Sequence, residues 1–145
     1  MRTLAVIIAG SRDYNNYEQL KHITPALIKL AYEDNYDVIN IISGGARGAD
    51  MLGERFAREN NYQIIRKLPN WSKWGKSAGY RRNCDMAIEA KKYDNCLCIA
   101  YSVNNSKGTE HMINICKKYG VPCFKVEQEE TSPTGVRITP FENKI

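Results

Sequence analysis

Short apolar runs alternate with longer amphipathic stretches along most of the 145-residue chain. The runs have the length and aliphatic composition of strands that are covered on both faces, which is typical of parallel sheets. They are Leu4–Ala9, Val38–Ile42, Gln63–Arg66, Cys96–Ala100 and Val121–Val126. The pattern therefore predicts five strands separated by helices.

Four stripes of apolar residues at helical spacing lie between these runs. They comprise Leu20, Ile23, Leu27 and Leu30; Ala49, Leu52, Phe56 and Ala57; Ala78, Met86, Ala87 and Ala90; and Met112, Ile113, Cys116 and Tyr119. Pro25 interrupts the first stripe, so we expect a kink there or a restart with Thr24 as the cap. The alternation predicts an α/β fold, a three-layer Rossmann-like domain with a mainly parallel five-stranded sheet in the order 3-2-1-4-5.

The end of the chain is polar and contains proline and glycine. We therefore predict one Rossmann-like domain over residues 1–126 and a polar C-terminal tail over residues 127–145, with room for an edge strand near Val136–Thr139. The apolar runs are too short for a membrane span or a signal segment. This favours a cytoplasmic protein without a membrane partner.

Composition adds little to this picture. The net charge of +5 suits an anionic ligand such as a nucleotide. The five cysteines form no Cys-x-x-Cys pair, and His22 and His111 lie far apart in the sequence. We expect reduced, buried thiols, no structural metal and no cofactor.

Three glycine-containing loops follow strands of the predicted sheet, and all fall at the edge where such sheets bind ligands. In "SGGARGAD" the glycines permit close backbone approach, a helix start offers free N–H groups, and an arginine offers a planar phosphate donor. "GSRD" and "KGTE" repeat this pattern, with Thr109 expected to cap the last helix. Read singly, "SGGARGAD" could equally be a tight strand-to-helix turn, and loops such as "GSRD" and "KGTE" are more often plain turns or caps. The candidate ligand-binding residues are Gly10, Ser11, Arg12, Ser43, Gly44, Gly45, Arg47, Gly48, Asp50, Gly108, Thr109 and Glu110.

A long basic and aromatic segment, "NWSKWGKSAGYRRNCDM", lies between the third strand and a helix. Trp71 is a candidate to stack on a base, and Lys76 and Arg82 are candidates to contact phosphate. The same interleaving is typical of proteins that bind single-stranded nucleic acid. We expect at least one of Trp71 and Trp74 to anchor the core instead.

These motifs in this order, "GSRDY", "SGGARGAD", "PNWSKWGKSAGYRRNCDM" and "SKGTEHMI", resemble the YspA-like branch of the SLOG superfamily, over about residues 4–126. The resemblance implies a Rossmann-like fold and a nucleotide-derived ligand, such as an ADP-ribose-like compound, a nucleoside phosphate or a cyclic nucleotide. It implies a sensor or sequestering protein, often in phage and conflict settings, and a homo-oligomer is plausible by the same resemblance.

Two related families supply alternatives. Lonely Guy enzymes hydrolyse the N-glycosidic bond of nucleotides through an Arg-Lys-x-x-Met element and a glycine-rich element with two glutamates. Here Asn83, a further candidate ligand-binding residue, replaces the lysine, and His111 and Met112 stand at the glutamate positions. Glu110 is then the candidate catalytic residue, with Asp50 as another carboxylate. We therefore expect binding without turnover.

The other related family, the Smf/DNA-processing protein A proteins, binds single-stranded DNA. It resembles this chain in the glycine-rich phosphate loop. Single-stranded nucleic acid is therefore the alternative partner to a small nucleotide-derived molecule.

Overall fold

The computed structural model describes residues 1–33, 35–129 and 135–141. Within these residues, six strands form one sheet: β1 (Thr3–Gly10), β2 (Val38–Ser43), β3 (Gln63–Arg66), β4 (Asn95–Ser102), β5 (Cys123–Gln128) and β6 (Val136–Phe141). The same part of the chain contains five α-helices: α1 (Tyr17–Ala31), α2 (Ala49–Glu59), α3 (Trp71–Trp74), α4 (Ala78–Ala90) and α5 (Lys107–Tyr119). A 3-10 turn, Gly75–Ser77, joins α3 to α4.

The strand order is β3-β2-β1-β4-β5-β6. Strands β1 to β5 pair in parallel, which confirms the Rossmann-like order 3-2-1-4-5. The parallel core has the predicted five strands, and the edge strand allowed for near Val136–Thr139 is β6, which pairs antiparallel with β5 along its length. Val136 is buried there, and Pro140 fits because an edge strand need not donate every N–H. Part of the expected polar tail thus belongs to the sheet.

Helices cover both faces of the sheet. Alternate residues of β1 face opposite ways: Leu4, Val6 and Ile8 pack with buried residues of α1 and α2. Ala5, Ile7 and Ala9 pack with buried residues of α4 and α5. This double burial explains why β1 reads as a continuous apolar run rather than an alternating one.

Helix α1 runs unbroken through Pro25, so the expected restart at Thr24 is wrong. Asn16 caps the helix by accepting a hydrogen bond from Gln19 N. Thr24 is buried, and its hydroxyl lies 2.6 Å from the hydroxyl of Tyr101. Packing on the sheet therefore outweighs the local cost of the proline. Leu30, the last member of the predicted stripe, is exposed.

The strand order reverses between β1 and β4, and the loops that follow them meet there. A Cβ at Gly10 would lie 2.0 Å from the carbonyl oxygen of Tyr101, and one at Gly48 would lie 2.4 Å from that of Ser11. Only glycine permits these approaches. Arg12 and Gly45 line the same small cavity, so the predicted convergence of these loops at one edge is confirmed.

Candidate functional site

A cavity of about 490 Å³ lies at this reversal point, beyond the carboxyl ends of β1 and β4. Its volume is within the range of small-molecule sites. Most of the predicted ligand-binding residues line it: Gly10, Ser11, Arg12, Arg47, Asp50, Trp71, Lys76, Arg82, Asn83, Gly108 and Thr109. Gly44 and Gly45 line an adjoining cavity of about 230 Å³ that shares Arg12, Arg47, Trp71 and Arg82.

Cationic side chains dominate the rim of the main cavity. Arg12, Arg47 and Lys76 are exposed, and each contributes to the lining. The only ion pair shown for Arg47 within the described ranges is to Asp13, with 3.7 Å between Nη2 and Oδ1. An exposed pair of this length contributes little free energy. An incoming phosphate could therefore compete for Arg47 at small cost.

Arg82 is half-buried and already bonded to the protein. Its Nη1 donates to the carbonyl oxygen of Gly44 at 2.6 Å, and its Nε donates to Asn83 Oδ1 at 3.1 Å. Burial lowers the pKa of Arg82, which also faces Asp50 and Arg12. Arg82 thus lines the cavity as a candidate phosphate contact, and its guanidinium also ties α4 to the loop after β2.

The glycine-rich loop before α2 satisfies part of its own donors. Gly45 N donates to Ser43 Oγ, Ala46 N to Asp50 Oδ2 and Ala49 N to the carbonyl oxygen of Ser11. Asp50 is only 5% exposed, and desolvation by burial raises its pKa to about 6. A carboxylate therefore already occupies the positive end of this helix dipole.

Two other predicted residues serve the loop rather than the cavity. Ser43 is fully buried, and its hydroxyl donates to Glu54 Oε2 at 2.7 Å. Gly48 is the residue before α2 and packs beneath Ser11. Both lie outside the lining of the main cavity, so their predicted contact with ligand is not supported by their positions.

The hydroxyl of Ser11 is also engaged. It is 3% exposed, donates to the carbonyl oxygen of Val103 at 3.1 Å and accepts from Val103 N at 2.8 Å. Ser11 thus joins the loop after β1 to the loop after β4. To donate to phosphate, this hydroxyl would have to give up the bond that it donates to Val103 O.

The start of α5 has the features of an anion site that were expected at the start of α2. Ser106, rather than Thr109, is the cap, since its Oγ accepts from Thr109 N. Thr109 is 2% exposed, and its Oγ1 has no hydrogen-bond partner within the part of the chain that the structure describes. Gly108 and Thr109 both line the cavity, and a Cβ at Gly108 would meet only Ser106 Oγ, at 3.9 Å. An unsatisfied buried hydroxyl at a helix start is a ready partner for an anion.

Aromatic groups stand on one side of the cavity. Trp71 and Tyr80 line it and are both 51% exposed. Tyr80 stacks on His111 with 4.2 Å between ring centroids. Trp74 is 40% exposed, and Arg81 Cζ lies 3.6 Å from the centroid of its ring. The expectation that one tryptophan anchors the core is therefore wrong.

Glu110 lies away from the cavity lining. Its carboxylate accepts a hydrogen bond from Lys125 Nζ, on β5. This pairing turns the side chain toward the neighbouring strand. Glu110 is thus poorly placed for the catalytic or ligand-binding role that the sequence suggested.

Comparison with known proteins agrees with this architecture. Residues 4–74 match the family described as YspA, cpYpsA-related SLOG. The Gene 61 protein of Mycobacterium phage D29 is 30% identical over 122 residues, which cover 81% of this chain and 91% of that protein. The chain belongs to the YspA, cpYpsA-related SLOG family.

Membership of the SLOG family supports a nucleotide-related role, either ligand binding or hydrolysis. The family match ends at Trp74 and so includes the loops after β1 and β2 but not the start of α5. Among the described residues, none of the helices combines the length and apolarity needed to cross a membrane.

Several lining residues of this SLOG protein were not predicted, namely Ala46, Gly79, Tyr80, Met86, Val103, Asn104, Ser106 and Met112. Met86 and Met112 were assigned to the core from helical spacing, and both are indeed buried, yet they also contribute to the cavity wall. Asn104 had a usable signal, because consecutive asparagines after a strand often adopt positive φ, as Asn104 and Asn105 do here.

The five cysteines are free, and four of them are buried, as predicted. The fold brings the sulfur atoms of Cys98, Cys116 and Cys123 within 4.8 Å of one another. Three soft donors suit a thiophilic ion in type, whereas structural zinc sites use four ligands. The cluster lies in the core beneath α5, apart from the cavity.

Proposed function

We propose that this chain binds a nucleotide-derived ligand in the main cavity and acts as a sensor or sequestering protein. The observation that carries the proposal is Thr109, a lining residue at the start of α5 whose buried hydroxyl has no partner among the described residues. A phosphate oxygen would satisfy that hydroxyl. It would also lie at the positive end of the α5 dipole.

The charges around the cavity also favour a ligand that carries phosphate. Arg12, Arg47 and Lys76 bring positive charge to the rim of the cavity, where they would attract and hold a phosphate group. Trp71 and Tyr80 offer exposed aromatic faces on which a base could stack. The start of α2 is a poorer phosphate site, because Asp50 already accepts a hydrogen bond there.

Calorimetric titration with AMP, ADP-ribose and cyclic AMP tests this proposal, with chromatography of the ligand afterwards. Binding in the micromolar range with intact ligand supports a sensor. Absence of heat and of a thermal shift with every nucleotide would contradict it.

One observation favours a hydrolase as the second candidate. Asp50 is a carboxyl group in the cavity whose pKa is raised by burial to about 6, which suits a general acid or base near neutral pH. N-glycosidic cleavage needs such a carboxyl near the sugar. Release of free base from AMP that disappears in Asp50→Asn would establish this activity.

Single-stranded nucleic acid is the third candidate, and exposed aromatic and basic groups on α3 and α4 favour it. Lys73 and Arg81 both lie over the ring of Trp74. Such surfaces bind bases by stacking and phosphates by charge. Binding of oligothymidylate that weakens steeply with salt, and that survives loss of the Thr109 hydroxyl, would favour this reading.

A further inference from the structure

A series of hydrogen bonds connects the wall of the main cavity to a histidine on α5. Arg82 and Asn83 line the cavity, and His111 lies next to Asn83 without being part of that lining. Arg82 Nε donates to Asn83 Oδ1 at 3.1 Å, and Asn83 Nδ2 lies 3.0 Å from His111 Nδ1. Asn83 is 6% exposed, and His111 is half-buried. The contact of Arg82 with Gly44 thus continues through α4 to α5.

The hydrogen bonds of Asn83 determine the protonation state of His111. A guanidinium nitrogen only donates, so the amide atom that faces Arg82 must be the oxygen. The amide nitrogen then faces His111, and because it also only donates, Nδ1 must accept. An accepting Nδ1 carries no proton, so His111 is neutral and holds its proton on Nε2. Tyr80 stacks on the same ring, with 4.2 Å between the centroids.

Protonation of His111 is incompatible with this arrangement. Both ring nitrogens then donate, so Nδ1 and the amide nitrogen of Asn83 face each other as two donors. Rotation of the amide would restore a bond to His111, but it would turn the amide nitrogen toward Arg82 Nε, which also donates. In either orientation the amide lacks one of its two bonds. It therefore no longer holds the guanidinium of Arg82 in one place.

We propose that His111 is a positioning residue for phosphate binding: in its neutral form it holds Asn83 and thereby Arg82, and its protonation weakens nucleotide binding. A guanidinium that is already fixed loses less conformational freedom when phosphate binds to it. This inference rests on the proposed nucleotide binding and adds its regulation by pH. Desolvation by burial lowers the pKa of His111, so affinity should fall only below about pH 6.5, the usual histidine value.

Other charged groups border these residues, and their effects differ from that of the histidine. Asp50 faces Arg82 and has a pKa raised by burial to about 6. Its protonation removes a negative charge from the cavity and so favours phosphate at low pH, which is the opposite sign. Glu110, on α5, is paired with Lys125 of β5. Arg12, which also faces Arg82, is an arginine and so keeps its charge.

The test measures ADP affinity by calorimetry at about pH 8 and about pH 5, on either side of the usual histidine value. His111→Phe keeps a ring against Tyr80 but offers no acceptor. It should weaken ADP about 3- to 10-fold at the higher pH, the effect of one neutral hydrogen bond. His111→Asn places an amide oxygen close to the position of Nδ1, and this oxygen accepts at every pH. It should bind ADP more tightly than His111→Phe does.

The pH dependence is the decisive comparison. From the higher to the lower pH, the wild type should lose about 3- to 10-fold more affinity than His111→Asn. The terminal phosphate of ADP also titrates near about pH 6, but it does so for every variant, so the comparison removes its effect. His22→Asn is the matched control, because His22 is the other histidine of the sequence and its side chain is exposed. It should keep the wild-type pH dependence.

An NMR titration of the histidine rings provides a measurement that does not depend on the folding of His111→Phe. The spectrum of His22→Asn assigns the two rings, and by linkage ADP should lower the pKa of His111. Equal pH dependence in the wild type and His111→Asn, full affinity in His111→Phe, or a pKa of His111 that ADP leaves unchanged would each overturn the positioning role. Nucleotide binding would then still stand.

Two further results bear on the proposal. Protonated His111 could attract phosphate directly, in which case the wild type would bind ADP more tightly than His111→Asn at the lower pH. That result would overturn the positioning role as well. Absence of ADP binding by the wild type at either pH overturns both this inference and the proposed function.

Discussion

Replacing Thr109 by valine should weaken nucleotide binding without weakening the fold. Valine keeps the shape and the β-branching of threonine in the first turn of α5 but removes the hydroxyl. Because that hydroxyl has no partner within the described residues, its removal breaks no hydrogen bond among them. It also removes the cost of a buried unpaired group.

Ligand affinity should therefore fall while the free energy of unfolding stays the same or rises. A hydrogen bond from a hydroxyl to a charged phosphate contributes about 1.5–3 kcal/mol, so the dissociation constant for AMP or ADP should rise roughly 10- to 150-fold. The free energy of unfolding in denaturant should stay the same or rise by up to about 1–3 kcal/mol. Thr109→Ser is the matched control, since it retains the hydroxyl and should retain most of the affinity.

Calorimetric titration and urea unfolding on the same preparations measure both quantities. Wild-type affinity in Thr109→Val would refute the assignment of the phosphate to α5. A fall in both affinity and unfolding free energy would mean that the hydroxyl acts through the fold.

Three further predictions concern the charged groups around the site. Burial raises the pKa of Asp50 above its unfolded value, so the folded state holds the extra proton between about pH 4 and 6, and this contribution to stability is lost as pH rises. Asparagine does not titrate, so at pH 7 the free energy of unfolding of Asp50→Asn, measured in urea, should exceed that of the wild type by up to about 3 kcal/mol. An equal pH dependence of unfolding in the two proteins would contradict this. Arg82→Gln should lower both the ligand affinity and the free energy of unfolding, the latter by about 1–3 kcal/mol. Arg47→Gln should lower the ligand affinity alone. Equal melting temperatures of the two variants would contradict this distinction. Glu110→Gln should leave ligand affinity unchanged and any base release unaltered, because that carboxylate is held by Lys125; loss of binding or turnover would return Glu110 to the site.

The fold was largely readable from the sequence because its central strands are buried on both faces. Leu4–Ala9 has no polar interruption, and β1 indeed extends from Thr3 to Gly10. The sixth strand was harder, since Val136 is buried while Ile138, two residues on, is exposed, so the usual alternation is weak. Leu30 was misassigned because helical spacing identifies a face of a helix but not where the sheet beneath it ends.

The position of the site was also predictable, but its chemistry was not. Carboxyl ends of parallel strands share an edge, so Arg12, Gly45 and Thr109 had to lie near one another. Sequence could not show that Asp50 would turn back to accept from Ala46 in the loop before α2. That bond depends on the path of the loop in three dimensions. It is one reason why we propose the phosphate contact at α5 rather than at α2.

The most direct measurement of the central claim is a crystal structure of the protein with ADP bound. We predict a phosphate oxygen within about 3 Å of Thr109 Oγ1 and next to the backbone N–H groups that begin α5. A phosphate at Gly45 and Gly48, at the start of α2, would contradict that claim, as would a nucleotide stacked on Trp74 outside the cavity.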